Sequence, residues 1–132
     1  MSVVVGYVST PEGDAALDVA ISEARARGER LVVIFSERGQ RLGTAAAELQ
    51  AKADEVRRRL DETGLRYDVR LTTRGHDVAD DIIDAASREE AVLIVIGLRR
   101  RGPVGKLLLG SNAQRILLDA PCPVLAVKPA LA

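Results

Sequence analysis

Stretches in which nearly every position is apolar alternate along the chain with stretches in which apolar residues recur every three or four positions. Ser2–Val8 is a short, β-branched apolar run bounded by Ser9-Thr10-Pro11-Glu12-Gly13, which reads as a buried strand followed by a turn. From Asp14 to Arg27, Leu17, Ala20, Ile21 and Ala24 share one helical face, and Gly28 closes the helix. Leu31–Phe35 is a second buried run. Leu42, Ala46, Leu49, Ala53, Val56 and Leu60 step by four and three, which predicts an amphipathic helix ended by Gly64. That stripe is read as domain core rather than as a partner-binding helix. Tyr67, Val69 and Leu71 alternate with Arg66, Asp68 and Arg70, so this strand has one wet face and belongs at a sheet edge. Asp77 caps a third helix carrying Val78, Ile82, Ile83 and Ala86, and Ala91–Ile96 is the most apolar strand. A final helix turns Ala113, Ile116 and Leu117 inward and stops at Pro121-Cys122-Pro123, before a last strand, Val124–Val127.

The order βαβαβαβαβ implies an α/β fold: a doubly wound, five-stranded parallel sheet with helices on both faces. With right-handed crossovers the expected strand order is 3-2-1-4-5. The length of 132 residues fits one domain over 1–132. If Ser2–Val8 and Ala91–Ile96 are neighbours, the chain winds outward from them in both directions. The crevice between their carboxyl ends is then the switch point at which such sheets take ligands. The segments Ser9–Gly13 and Gly97–Gly110 meet there.

The second of these carries the candidate chemistry. Between Gly97 and Asn112 lie four glycines and four basic side chains, ending at a helix start with Ser111 and Asn112. Glycines let backbone N–H groups turn toward a ligand, and a helix N-terminus adds free donors and partial positive charge. The combination suits an anion, phosphate foremost. A Walker pattern would need glycine at Arg100 and Ser or Thr at Leu107, and fails at both. A dinucleotide fingerprint should follow the first strand, where Ser9-Thr10-Pro11-Glu12-Gly13 stands instead.

Over nearly its whole length the chain resembles a universal stress protein domain. Val3-Val4-Val5-Gly6-Tyr7 resembles that family's first strand and Ala120–Val127 its last. The nucleotide-binding branch carries G-x2-G-x9-G-[S/T]; the same spacing here holds Gly97, Arg100, Gly110 and Ser111. The resemblance implies an adenine nucleotide, ATP or AMP in type, across the crevice. Tyr7, Val8 and Ser9 would border the base and ribose, Phe35 would offer its backbone to the adenine, and Gly97, Arg100, Gly110, Ser111 and Asn112 would surround the phosphates. Mg²⁺ would accompany a triphosphate only. The chain departs from the family pattern at two positions. Val8 stands where the family usually has an acid, and Arg100 replaces the middle glycine. Arg100 either crowds the phosphate or supplies it with a charged fork. The resemblance also implies a homodimer formed through the exposed edge of Val124–Val127, and a stress-response or signalling role. A family member that works through its dimer or protein-interaction surface without nucleotide is the alternative. A slow ATPase or phosphotransferase is the weaker one.

Nineteen basic and nineteen acidic residues leave a formal net charge of zero, which argues against nucleic acid or an acidic membrane as partner. One His and one Cys argue against a metal site built from those residues. No nucleophile has a recognisable base beside it, so no catalytic residue is assigned. His76 is read as part of a turn, Asp80, Asp81 and Asp84 as a solvated helix face, and Cys122 as a structural or incidental thiol. The opening residues carry no basic targeting segment, and no run approaches the roughly 18 apolar residues that span a bilayer. The expected location is therefore the cytoplasm.

Overall fold

The computed structural model describes residues 1–8, 10–35, 46–71, 77–101 and 106–129, with backbone alone at 46, 47, 100, 101 and 106–108. Ser9, Leu42 and His76 therefore lie outside the described residues.

In chain order the elements are β1 (Ser2–Tyr7), α1 (Pro11–Arg27), β2 (Arg30–Phe35), α2 (Ala46–Asp61), β3 (Tyr67–Leu71) and α3 (Val78–Arg88). They continue with β4 (Ala91–Gly97), β5 (Arg99–Arg101), β6 (Lys106–Leu108), α4 (Ser111–Asp119) and β7 (Val124–Val127). Five strands form one parallel sheet in the order β3-β2-β1-β4-β7. Counted without the short antiparallel β5–β6 pair, this is the expected 3-2-1-4-5 arrangement.

The period-two alternation of strand side chains divides the core into two layers. Val3, Val5 and Tyr7 face α1 and α2, together with Leu31, Val33 and Phe35. Val4, Val32, Ile34, Ile94 and Ile96 face α3 and α4. A strand covered on both faces has no position for a polar residue, which is why these segments read as unbroken apolar runs. β3 and β7 are the edges, and each is less buried than the strands between them.

Three local expectations change. α1 begins at Pro11 rather than Asp14, because Thr10 is its N-cap and accepts the Gly13 N–H through Oγ1 at 3.1 Å. Proline at the first helical position loses no hydrogen bond. Asp77 holds the N-cap position of α3 but makes no capping bond with its side chain. Instead it faces the Arg115 guanidinium, Oδ2 to Nη1 at 3.3 Å, and Arg115 also pairs with Asp80. Finally, Leu117 does not turn inward. The nine-residue α4 touches the core through Ile116, with Ala113 half-buried, while Leu117 and Leu118 are 42% and 84% exposed. Among the acidic residues of α3, Asp80 and Asp84 are exposed and paired with arginines, whereas Asp81 is half-buried.

Candidate functional site

β1 and β4 lie side by side, and the chain leaves them in opposite directions, into α1 and into the β5–β6 pair. The first turn of α1 is seated directly on the backbone of both strand ends. A Cβ on Gly13 would collide with the Val8 carbonyl oxygen, and one on Gly97 would collide with the Glu12 carbonyl oxygen. Only glycine permits these two approaches.

Above this joint opens a cavity of about 510 Å³, within the range of small-molecule sites. Its floor is apolar, made by Gly6, Val8, Ile82 and Ile96 with the Tyr7 ring. The Tyr7 hydroxyl donates to Asp14 Oδ1 at 2.8 Å, and its ring packs on Phe35 at a centroid distance of 5.1 Å. Phe35 is fully buried behind Tyr7 and is not on the cavity wall.

The polar side of the cavity is built from helix N-termini. Residues from the first turns of α1, α3 and α4 line it: Gly13, Val78, and Ser111 with Asn112 and Ala113. At α4 the cap is Gly110, whose carbonyl accepts the Gln114 N–H at 3.0 Å but which has no side chain to cap the N–H groups after it. The N–H groups of Ser111, Asn112 and Ala113 have no acceptor within the helix and carry the positive end of its dipole. A Cβ on Gly110 would meet nothing within 4 Å, and the residue's backbone is ordinary, at φ −68°. Neither packing against the described residues nor conformation calls for glycine at this position.

At the rim, Glu12 and Arg99 face each other, Oε1 to Nε at 3.8 Å. Of the residues expected at the site, Tyr7, Val8, Gly97, Gly110, Ser111 and Asn112 are brought together around the cavity. Arg100 lies in β5, paired with Leu107 of β6, and its side chain is outside the described part, as is all of Ser9.

Sequence reasoning missed Glu12 and Arg99. Thr10-Pro11 is a helix-start signal, and reading it as one would have placed Glu12 on the first turn of a helix aimed at the strand ends. Among the described residues no group of three or more His, Cys, Asp or Glu is placed to hold a metal ion. Burial pushes the half-buried Cys122 thiol up. No helix among the described residues is long and apolar enough to cross a membrane.

The sequence model of the universal stress protein family matches residues 1–128. A universal stress protein of Mycolicibacterium smegmatis is 42% identical over 127 residues, covering 96% of this chain and 97% of the relative. The solved structure of a universal stress protein from Archaeoglobus fulgidus superposes with a TM-score of 0.77 at 32% identity, over 97% of this chain and 98% of that one. A second, of the universal stress protein from Archaeoglobus fulgidus in complex with dAMP, has a TM-score of 0.72 at 28% identity with the same coverage.

Proposed function

We propose that this chain, which belongs to the universal stress protein family, binds an adenine nucleotide of the ATP or AMP type in the cavity between the ends of β1 and β4. The observation that carries the reading is the space left at Gly110. A glycine that neither conformation nor packing against the described residues requires, beside three helix N–H groups without an acceptor in the helix, leaves room for an anion to approach the backbone. The dAMP bound by a relative of 28% identity supports the same class of ligand. Ser111 and Asn112, with Gly97 and Gly110, surround the phosphates; Arg100 and Ser9 belong to the same site; Tyr7 and Val8 border the nucleoside, with Phe35 behind them. Mg²⁺ enters only with a triphosphate, taking its oxygens chiefly from the phosphates.

The protein works as a cytoplasmic, dimeric stress-response or signalling module. β7 supports the dimer: it is a four-residue edge strand with Leu125 37% exposed, and a second copy can extend the sheet across a two-fold axis.

Calorimetric titration with ATP, AMP and cyclic AMP tests the ligand. Saturable one-to-one binding of at least one is expected, and no heat from any of the three rejects the reading in favour of a nucleotide-independent member of the family. Ultracentrifugation tests the assembly. The wild type sediments as a dimer at micromolar concentration and Leu125→Asp as a folded monomer; a monomeric wild type removes the edge-strand pairing.

A further inference from the structure

The geometry points to Glu12 as the residue that selects a ligand by a vicinal pair of hydroxyls, which in the nucleotide reading, on which this inference rests, is the ribose of a ribonucleotide. Glu12 is the one carboxylate among the described residues that line the cavity. Its side chain is 18% exposed, so it has given up most of its water. Its place is fixed by backbone rather than by its own packing, because its carbonyl sits against Gly97 where no side chain fits.

A carboxylate offers about four acceptor positions, and desolvating it without filling them is costly. Among the described residues its cationic partner is Arg99, at 3.8 Å and 61% exposed. Such a contact is long and solvent-screened, and among the described residues it leaves acceptor capacity on this cavity-lining carboxylate. The N–H groups at the start of α4 line the same cavity. One part of the lining therefore favours an anion, and another needs a donor. A ligand satisfies both if it carries phosphate at one end and neutral O–H donors at the other. Two adjacent hydroxyls match the two oxygens of one carboxylate, and an adenine nucleotide at neutral pH has no cationic group to offer in their place.

The experiment is calorimetry on the whole chain with AMP, 2′-deoxy-AMP and 3′-deoxy-AMP, using wild type, Glu12→Gln and Glu12→Ala. Wild type is expected to bind AMP roughly tenfold to a hundredfold tighter than either deoxy ligand, the value of a hydrogen bond to a charged group. Glu12→Ala brings the three affinities to within about twofold of one another, at the wild-type level for the deoxy ligands. Glu12→Gln, which keeps the packing and one acceptor oxygen, retains part of the preference. Equal wild-type affinities for all three ligands overturn the proposal, as does a preference that survives Glu12→Ala. A gain for all three ligands in both variants also overturns it, since Glu12 would then act only by repelling phosphate. In each of these cases the nucleotide site itself stands. A wild type that binds none of them rejects the site and this inference together.

Discussion

At the N-terminal ends of the strands, Glu89 is 17% exposed and receives Arg30 on one carboxylate oxygen and Arg70 on the other; at the C-terminal ends, Glu12 is 18% exposed and has Arg99 at 3.8 Å. The exposure is the same and the occupancy is opposite. The elements around each explain it. Glu89 follows the C-terminal end of α3 and enters β4, its backbone carbonyl accepts the Ser2 hydroxyl at 3.0 Å, and long arginine stems from β2 and β3 fill the space around it. Glu12 stands on the first turn of a helix and lines a cavity with glycines and other helix N-termini, and among the described residues its one charged partner is Arg99. One end of the sheet is closed by charge pairing. The other holds a cavity where backbones approach closely at Gly13 and Gly97.

If that contrast is right, the open end is sensitive to added volume and the closed end to lost charge. The largest effect is expected at the joint beneath the cavity. Helix propensity alone would make Gly13→Ala stabilising by about 1 kcal/mol. The collision with the Val8 carbonyl outweighs it, and urea unfolding should show a net loss of about 3 kcal/mol. A stabilised variant would break the comparison at its steric half.

Glu89→Gln comes next, with a loss of about 1–2 kcal/mol at pH 7. Arg70 foremost, and Arg30 with it, hold the Glu89 carboxyl below the usual carboxylate range, against burial, which pushes it up. Its stabilising contribution is therefore complete above the ordinary glutamate value of ~4.3 and drains away as the pH falls through its own lowered value. Melting temperatures of wild type and variant should differ at pH 7 and converge toward pH 3. A constant difference across that range would remove the charge-pairing account.

The smallest effect on stability is expected at Gly110→Asn. Asparagine is at least as good an N-cap as glycine, so unfolding should change by no more than about 0.5 kcal/mol. The side chain now occupies the space in front of the α4 N–H groups, and nucleotide affinity should fall at least tenfold by calorimetry. Unaltered affinity would mean that the ligand does not approach α4.

Much of this fold is legible in sequence because its central strands are covered on both faces. Val3, Val4 and Val5, like Leu31–Phe35 and Leu93–Ile96, have no wet side, so the apolar runs mark the strands and the intervening three-four spacings mark the helices. The edge position of β3 follows from its alternation with Asp68 and Arg70 for the same reason. Leu117 was not legible: Ile116, Leu117 and Leu118 are consecutive, and in a nine-residue helix periodicity cannot choose which one points inward. Two short strands inside the segment after β4 were also hidden, since Arg99–Arg101 has no apolar alternation. At the site, the glycine and serine pattern led to Gly97, Gly110 and Ser111. Glu12 escaped notice because its place at the cavity comes from a close approach between two elements far apart in sequence, which no local spacing encodes.

The seating of α1 on Val8 and Gly97 has a practical side for anyone redesigning this domain. The wall that carries Glu12 is registered against main chain at Val8 and Gly97, while the rest of α1 is held by one core layer through Ala16, Leu17, Ala20, Ile21 and Ala24. Repacking beneath α2, at Leu49, Val56 or Leu60, touches no residue of the cavity lining, so thermal tolerance can be adjusted there with the residues of the cleft left in place.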